Sequence, residues 1–222
     1  LYRKGGYGVM RGMIYKDFLV QRKQLGYYGV FFLVYTLLAV TDVMPPAIMY
    51  TMTVLIGMMV PMASFSYDDL ARWNKYAAAT PAGRRGIVAG KYVFSLLSVL
   101  AAAVLSALLL AALVLLKPEL GPLDEGLIGL LICVLITMVI DAVMLPVLVK
   151  FGAEKSRLIS ILLFVAIFGG ILLLGQFAGA LENIVLPAWF FLALPGLLVL
   201  LAIGGYVISY FIACGIFEKK EL

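Results

Sequence analysis

Few residues in this 222-residue chain have the capacity for bond-making chemistry, and their spacing removes most of the usual options. Histidine is absent, so no mechanism that needs an imidazole base, shuttle or metal ligand is open. That excludes Ser–His hydrolases, zinc-motif proteases and most transition-metal sites. Cys133 and Cys214 lie in separate apolar runs; they make no CxxC pair or zinc framework and read as small core fillers. The segment Gly86–Ile87–Val88–Ala89–Gly90–Lys91–Tyr92 approaches a phosphate-binding loop. That loop needs four residues between its glycines, and Ser or Thr after the lysine to ligand magnesium. Here three residues intervene, Tyr92 follows, and no strand pattern precedes. Lys91 reads instead as the cytoplasmic anchor of an apolar span, and the chain has no nucleotide site of its own. One group remains: Asp141 is the only charged residue well inside an apolar run. An ionised side chain at such depth costs about 2.5–3.5 kcal/mol on insertion scales, so it needs a partner or water. Two readings are open for it, a polar lining or relay of a translocation route, and a structural contact with Tyr, Ser or Thr on a neighbouring helix. A proton-coupled transporter would usually need more than one such group.

The elements that position these residues are set by composition. Hydrophobic residues make up 64% of the chain and charged residues 13%, with a mean hydropathy of +1.11; a globular chain is about 45–50% apolar and 25% charged. A water-soluble protein of this size could not hide so much apolar surface. The expected fold class is all-α, a polytopic membrane protein. A spanning helix needs about 20 apolar residues, and six stretches qualify: Leu25 to Val40, Ala47 to Ser66, Tyr92 to Leu116, Gly126 to Val149, Leu158 to Gly175 and Pro195 to Phe217. None reads as a cleavable signal peptide. With these spans, sixteen of the seventeen basic residues fall on one side and Lys117 alone on the other, where Asp42, Glu119, Asp124, Glu125 and Glu182 lie. The positive-inside rule then places both termini in the cytoplasm. The net charge of +5 is therefore an orientation signal; no aromatic-interleaved basic stripe points to nucleic acid.

Residues 1–12 are expected to be a leader, disordered or added, ahead of a native start at Met10 or Met13. Residues 13–24 are expected to form a helix lying in the membrane interface, with Ile14, Tyr15, Phe18 and Leu19 on one face and Lys16, Asp17, Gln21 and Gln24 on the other. Residues 25–217 form one six-helix transmembrane domain, interrupted by a cytoplasmic loop at 67–91, and residues 218–222 are a cytoplasmic tail. Rows of small residues, namely Ser98, Ala102 and Ser106, then Gly175 and Gly179, then Gly205, Ser209 and Ala213, allow close helix approach within the subunit or between subunits. Pro61, Pro146 and Pro195 lie in or at the ends of spans. Between the last two spans, Pro187 and Trp189–Phe190–Phe191 suit the outer aromatic belt.

The cytoplasmic loop is the richest stretch. Asp68 and Asp69 suit a helix N-terminus, Leu70, Trp73 and Tyr76–Ala77 recur as one apolar stripe, Arg72 and Lys75 face elsewhere, and Thr80–Pro81 ends the helix. Such a helix either lies on lipid headgroups or inserts its Trp and Tyr into a groove on a soluble partner.

The run Ser64–Phe65–Ser66–Tyr67–Asp68, Trp73, Pro81, Arg84 and Gly90–Lys91–Tyr92 resembles the signature of bacterial type 2 ABC exporter permeases. The stretch Met10–Arg11–Gly12–Met13–Ile14–Tyr15–Lys16–Asp17–Phe18–Leu19 resembles their start, where an elbow helix precedes the first span. Within that family the resemblance is closest to permeases exporting amphipathic peptides, such as phenol-soluble modulins. It implies six helices per subunit, a second permease subunit in a homo- or heterodimer, and two separate cytosolic ABC ATPase subunits that bind ATP and Mg, leaving no cofactor and no metal in this chain. Asp69 to Ala79 would be the coupling helix, with Trp73 and Tyr76 as anchors in the ATPase groove, Leu70 in the same coupling set, and Asp68, Asp69, Arg72 and Lys75 giving orientation. Arg84 and Arg85 would meet headgroups or the partner's acidic surface, and the stretch from Glu182 to Leu194 would form short re-entrant helices. Gly83 departs from the serine or similar polar residue expected there. The implied function is an exporter subunit in the bacterial plasma membrane, in contact with membrane lipids and peptide-like cargo. A secondary transporter or channel without ATPases is one alternative; a lipid-modifying membrane enzyme is the other, and would need clustered polar groups where Asp141 stands alone.

Overall fold

The sequence pattern of long apolar runs with short polar breaks folds, in a computed structural model, into six helices among the described residues. These are α1 (Arg3–Val40), α2 (Ile48–Leu70), α3 (Trp73–Ala77), α4 (Gly83–Leu116), α5 (Leu123–Ala180) and α6 (Ala188–Glu218). The structure describes residues 3–77, 79–80, 83–118, 122–180 and 188–220, with side chains omitted at 3–10, 157, 160, 163–164, 166–168 and 171–194. No strand occurs among the described residues. Among the described residues, five stretches are long and apolar enough to cross a membrane: Arg11–Val40, Ile48–Leu70, Gly83–Leu116, Leu123–Ser156 and Pro195–Glu218. The expected span from Leu158 to Gly175 falls on the second limb of α5, where the backbone is helical but most side chains lie outside the described residues. The expected re-entrant stretch lies partly outside them too; from Ala188 the chain is already part of α6.

The bundle is apolar outside, and its largely apolar interior also encloses a set of polar side chains. Leu33 and Leu37 of α1, Val104 and Leu108 of α4, and Leu200 and Phe211 of α6 are exposed, whereas Thr53, Ser95, Ser106, Thr137, Asp141 and Ser209 are buried. A bilayer imposes this arrangement: lipid tails are as apolar as leucine, so helices associate through close packing and interhelical hydrogen bonds. The rows of small residues serve that purpose within the subunit. Ser106 donates to the Met49 carbonyl (3.0 Å), so Thr53 donates to Ser106 Oγ (2.7 Å), joining α2 to α4. Ser209 donates to the Ala142 carbonyl and Ala213 is fully buried, joining α6 to α5. At Gly57 a β-carbon would collide with the Thr137 methyl and lie 3.1 Å from Val99, so glycine lets α2, α4 and α5 converge. The Gly175–Gly179 row lies outside the described side chains.

Two expectations are corrected. Residues 13–24 are no separate helix but lie within α1, which runs unbroken from Arg3 to Val40. Their apolar face points outward, with Tyr15, Phe18 and Leu19 exposed, while Asp17 and Gln21 are buried. The reason is that Asp17 finds cationic partners inside the bundle, described below, whereas its apolar neighbours lose nothing by facing lipid. The single helix expected from Asp69 to Ala79 is also divided. Asp68 and Asp69 close α2, Arg72 turns the chain with φ 49, and α3 runs only from Trp73 to Ala77; Ala78 and Pro81 lie outside the described residues. Gly83 opens α4 with φ 63, a left-handed conformation that penalises any β-carbon. The departure from serine at this position therefore has a conformational cause.

Candidate functional site

Where α1, α2 and α4 converge at the basic end of the bundle, two lysines meet two aspartates. Lys91 Nζ lies 3.1 Å from Asp17 and 2.6 Å from Asp68; Lys16 Nζ lies 3.0 Å from Asp17 and also pairs with Asp68. Lys91 further donates to the Ser64 hydroxyl (2.5 Å) and carbonyl (3.3 Å). The cluster is charge-balanced and all but Lys16 are nearly buried, which is the condition under which ions survive in a low-dielectric core. Helix spacing brings the residues there: Met13, Asp17 and Gln21 recur at four-residue intervals on the inward face of α1. Gln21 is 1% exposed and its amide has no hydrogen-bond partner among the described residues.

The short α2–α4 connection sits on this cluster. Lys16 lies over the Trp73 ring, 4.8 Å from its centroid, and Lys91 over the Phe65 ring at 5.3 Å. Cation–π contact and apolar packing thus hold the base of the connection; Trp73 packs on the core and Ala77 is fully buried. Its tip faces outward, with Leu70 83% and Tyr76 70% exposed and Arg72 and Lys75 exposed beside them. The apolar stripe expected of Leu70, Trp73, Tyr76 and Ala77 is therefore split between core and surface. Asp68 is buried in the ion cluster. Asp69 accepts a hydrogen bond from the Ala153 amide (2.8 Å), capping the second limb of α5 where Gly152 (φ 77, ψ 174) breaks the helix. On the other side of that break, Lys220 donates to the Val149 carbonyl (2.9 Å) and Ser156 to that of Val147 (3.2 Å). Arg84 donates to the final carbonyls of α6, Phe217 and Glu218, and Arg85 Nε pairs with Glu218 at 2.6 Å. Cations at a helix C-terminus complement its dipole, so both arginines have a role inside the chain that the sequence reading assigned to headgroups or a partner.

Asp141 meets one hydroxyl on a neighbouring helix. Ser95 of α4 donates to its Oδ2 (2.6 Å), and Oδ1 has no partner among the described residues. Around it, the Tyr206 hydroxyl donates to the Tyr92 carbonyl (2.7 Å). Since the Ser209 proton is committed to Ala142, the Tyr92 hydroxyl donates to Ser209 (2.6 Å). The result is a packed polar seam between α4, α5 and α6. No group of three or more Cys, Asp or Glu able to hold a metal occurs among the described residues.

Sequence reasoning missed the ion cluster because its members are far apart along the chain, as with Asp17 and Lys91. The usable signal was a charged residue at the inward spacing of an otherwise apolar helix.

A helical bundle with an apolar exterior, buried polar groups that join its helices and a charged, tightly held connection at one end defines a polytopic membrane protein. The chain belongs to the ABC-2 family of transporters: the family described as ABC-2 family transporter protein matches residues 12–218. No curated protein and no solved structure shows significant similarity to the chain. Family membership makes this chain the membrane permease component of an ABC transporter.

Proposed function

We propose that this chain is the permease subunit of an ATP-driven exporter, coupled to separate cytosolic ATPase subunits through the exposed tip of the α2–α4 connection. The observation that carries this reading is the contrast within that connection: a base buried on an ion cluster and a tip presenting Leu70, Arg72, Lys75 and Tyr76. An apolar anchor flanked by cations suits a groove on a soluble partner. A rigid base lets a push on the tip reach α1, α2, α4 and, through Asp69, the second limb of α5. On this reading the second limb of α5 is a sixth span, both termini face the cytoplasm, two permease subunits pair in the bacterial plasma membrane, and ATP and Mg are bound by the partner. The apolar cavities between the helices favour amphipathic peptides, of the phenol-soluble modulin kind, over hydrophilic solutes.

Detergent-solubilised protein is expected to co-purify an ATPase subunit, and Leu70→Ala with Tyr76→Ala to weaken that association and peptide-stimulated ATP hydrolysis without lowering the melting temperature. If the double variant leaves both unchanged, the coupling assignment is wrong. Stimulation by an amphipathic helical peptide, and none by a hydrophilic peptide of equal length, tests the cargo class.

A further inference from the structure

Asp141 is 1% exposed within an apolar span, and among the described residues no cation on the elements packed against α5 reaches it. Those elements are α2, α4 and α6. Between Tyr50 and Tyr67, α2 carries no titratable residue, and α4 carries none beyond Tyr92. From α6 come Tyr206, Tyr210 and Cys214, and α5 itself has only Cys133 besides Asp141 between Glu125 and Lys150. The cations at the basic end are engaged or exposed. Lys91 is held by Asp17, Asp68 and Ser64, Arg84 by the end of α6, Arg85 by Glu218 and Lys220 by the Val149 carbonyl, while Lys150 and Lys155 are exposed.

The hydroxyl protons nearby are committed as well. Tyr206 donates to the Tyr92 carbonyl (2.7 Å), Tyr92 to Ser209 (2.6 Å), Ser209 to the Ala142 carbonyl and Thr137 to the Cys133 carbonyl (2.7 Å). A carboxylate offers about four acceptor positions. An ionised Asp141 would fill one of them, from Ser95 (2.6 Å), and leave Oδ1 bare. A buried charge with one hydrogen bond and no counter-ion is so unfavourable that the carboxyl takes up a proton instead. With the neutral acid every proton has a place. Asp141 Oδ2 donates to Ser95 Oγ, and the Ser95 proton turns to the oxygen of Tyr206, which faces it. Oδ1 is then an uncharged carbonyl oxygen, far less costly to bury alone.

We infer that Asp141 is a proton-binding site, holding one proton at neutral pH and donating it to Ser95 to close a ring of hydrogen bonds among α4, α5 and α6. Asp141 with Ser95 joins α5 to α4, Tyr92 with Tyr206 and Ser209 joins α4 to α6, and Ser209 with Ala142 joins α6 to α5. The proton is a structural ligand of the bundle, and its loss breaks the ring at Asp141. The site depends on neither the ATPase partner nor the cargo.

Infrared spectroscopy of the whole protein in an ester-free detergent tests this. At about pH 7.5 ordinary carboxyls are ionised, so a protonated-carboxyl C=O band is expected from Asp141 alone. It should move down in D2O and be missing in Asp141→Asn. Ser95→Ala removes the acceptor, so the band should persist at a higher frequency. No such band in the unaltered protein, a band that survives Asp141→Asn, or one that Ser95→Ala leaves at the same frequency overturns the proposal. Stability gives a second readout. An unfolded chain ionises this carboxyl above about pH 4, so folding takes up a proton. The folded-to-unfolded ratio should then fall about tenfold per pH unit as pH rises, until the folded site ionises too. Asp141→Asn lacks that loss, so its melting temperature should climb relative to the unaltered protein between about pH 5 and pH 8. A constant difference across that range overturns the proposal.

Discussion

Lys91 carries its charge into the level where three helices converge, and it is held there by two carboxylates, a hydroxyl and a carbonyl. Lys91→Met would leave Asp17 and Asp68 sharing Lys16 alone. Breaking one side of a buried pair costs about 3–5 kcal/mol, so a marked fall in melting temperature in detergent is expected. Lys91→Met combined with Asp68→Leu leaves the balanced Lys16–Asp17 pair and should recover most of that loss; a double variant no better than Lys91→Met would show that charge balance is not what holds the cluster. Asp141 differs, because its main contact is one hydroxyl. Asp141→Asn keeps an acceptor for Ser95 and should melt close to the unaltered protein, whereas Asp141→Leu strands that hydroxyl at a cost of about 1–3 kcal/mol. Transport lost with Asp141→Asn at unchanged stability would instead favour the relay reading. Asp141 was legible from the sequence as a lone buried charge, but its partners lie on other helices and were not.

At the scale of elements, two glycines end up in conformations that only the chain path demands. Gly152 combines φ 77 with ψ 174, a region essentially closed to other residues, and a β-carbon there would sit 2.9 Å from Asp69 Oδ2. Gly83 is left-handed but open, with nothing within 4 Å. Gly152→Ala should therefore cost more than Gly83→Ala, about 1–3 kcal/mol against about 1 kcal/mol, read as the order of the melting temperatures. The reverse order would mean that the break in α5 is not held by Asp69. The long apolar periodicity of the helices was readable in advance. The split of the cytoplasmic connection into a helix end, a left-handed turn at Arg72 and the short α3 was not, because the carboxylates of Asp68 and Asp69 are committed to Lys16, Lys91 and Ala153 by tertiary contact.

For the molecule as a whole, the basic end and the opposite end are distinguished by both charge and pairing. Lys117, the one basic residue assigned to the far side, pairs with Asp42 and ties α4 to the end of α1. With the proposed orientation, a cysteine introduced near Glu119 should react with a membrane-impermeant maleimide added to intact cells, and one near Arg84 should not. Labelling at Arg84 and protection at Glu119 would invert the topology.

Sequence alone determined that the chain is helical and membrane-embedded, roughly where its spans lie, and that histidine- and zinc-based chemistry is closed to it, because composition and apolar run length act locally along the chain. It also marked the stretch around Trp73 as the place where charge and aromatic residues concentrate. Only the tertiary structure decided which side of each helix is inside. In water, burial sorts apolar from polar and the pattern can be read directly; in lipid the apolar face is already satisfied, so the inward face is set by which small and polar groups find partners across helices. That is why Asp17 and Gln21 turn inward, why Trp73 belongs to the core, and why Leu70 and Tyr76 are left at the surface.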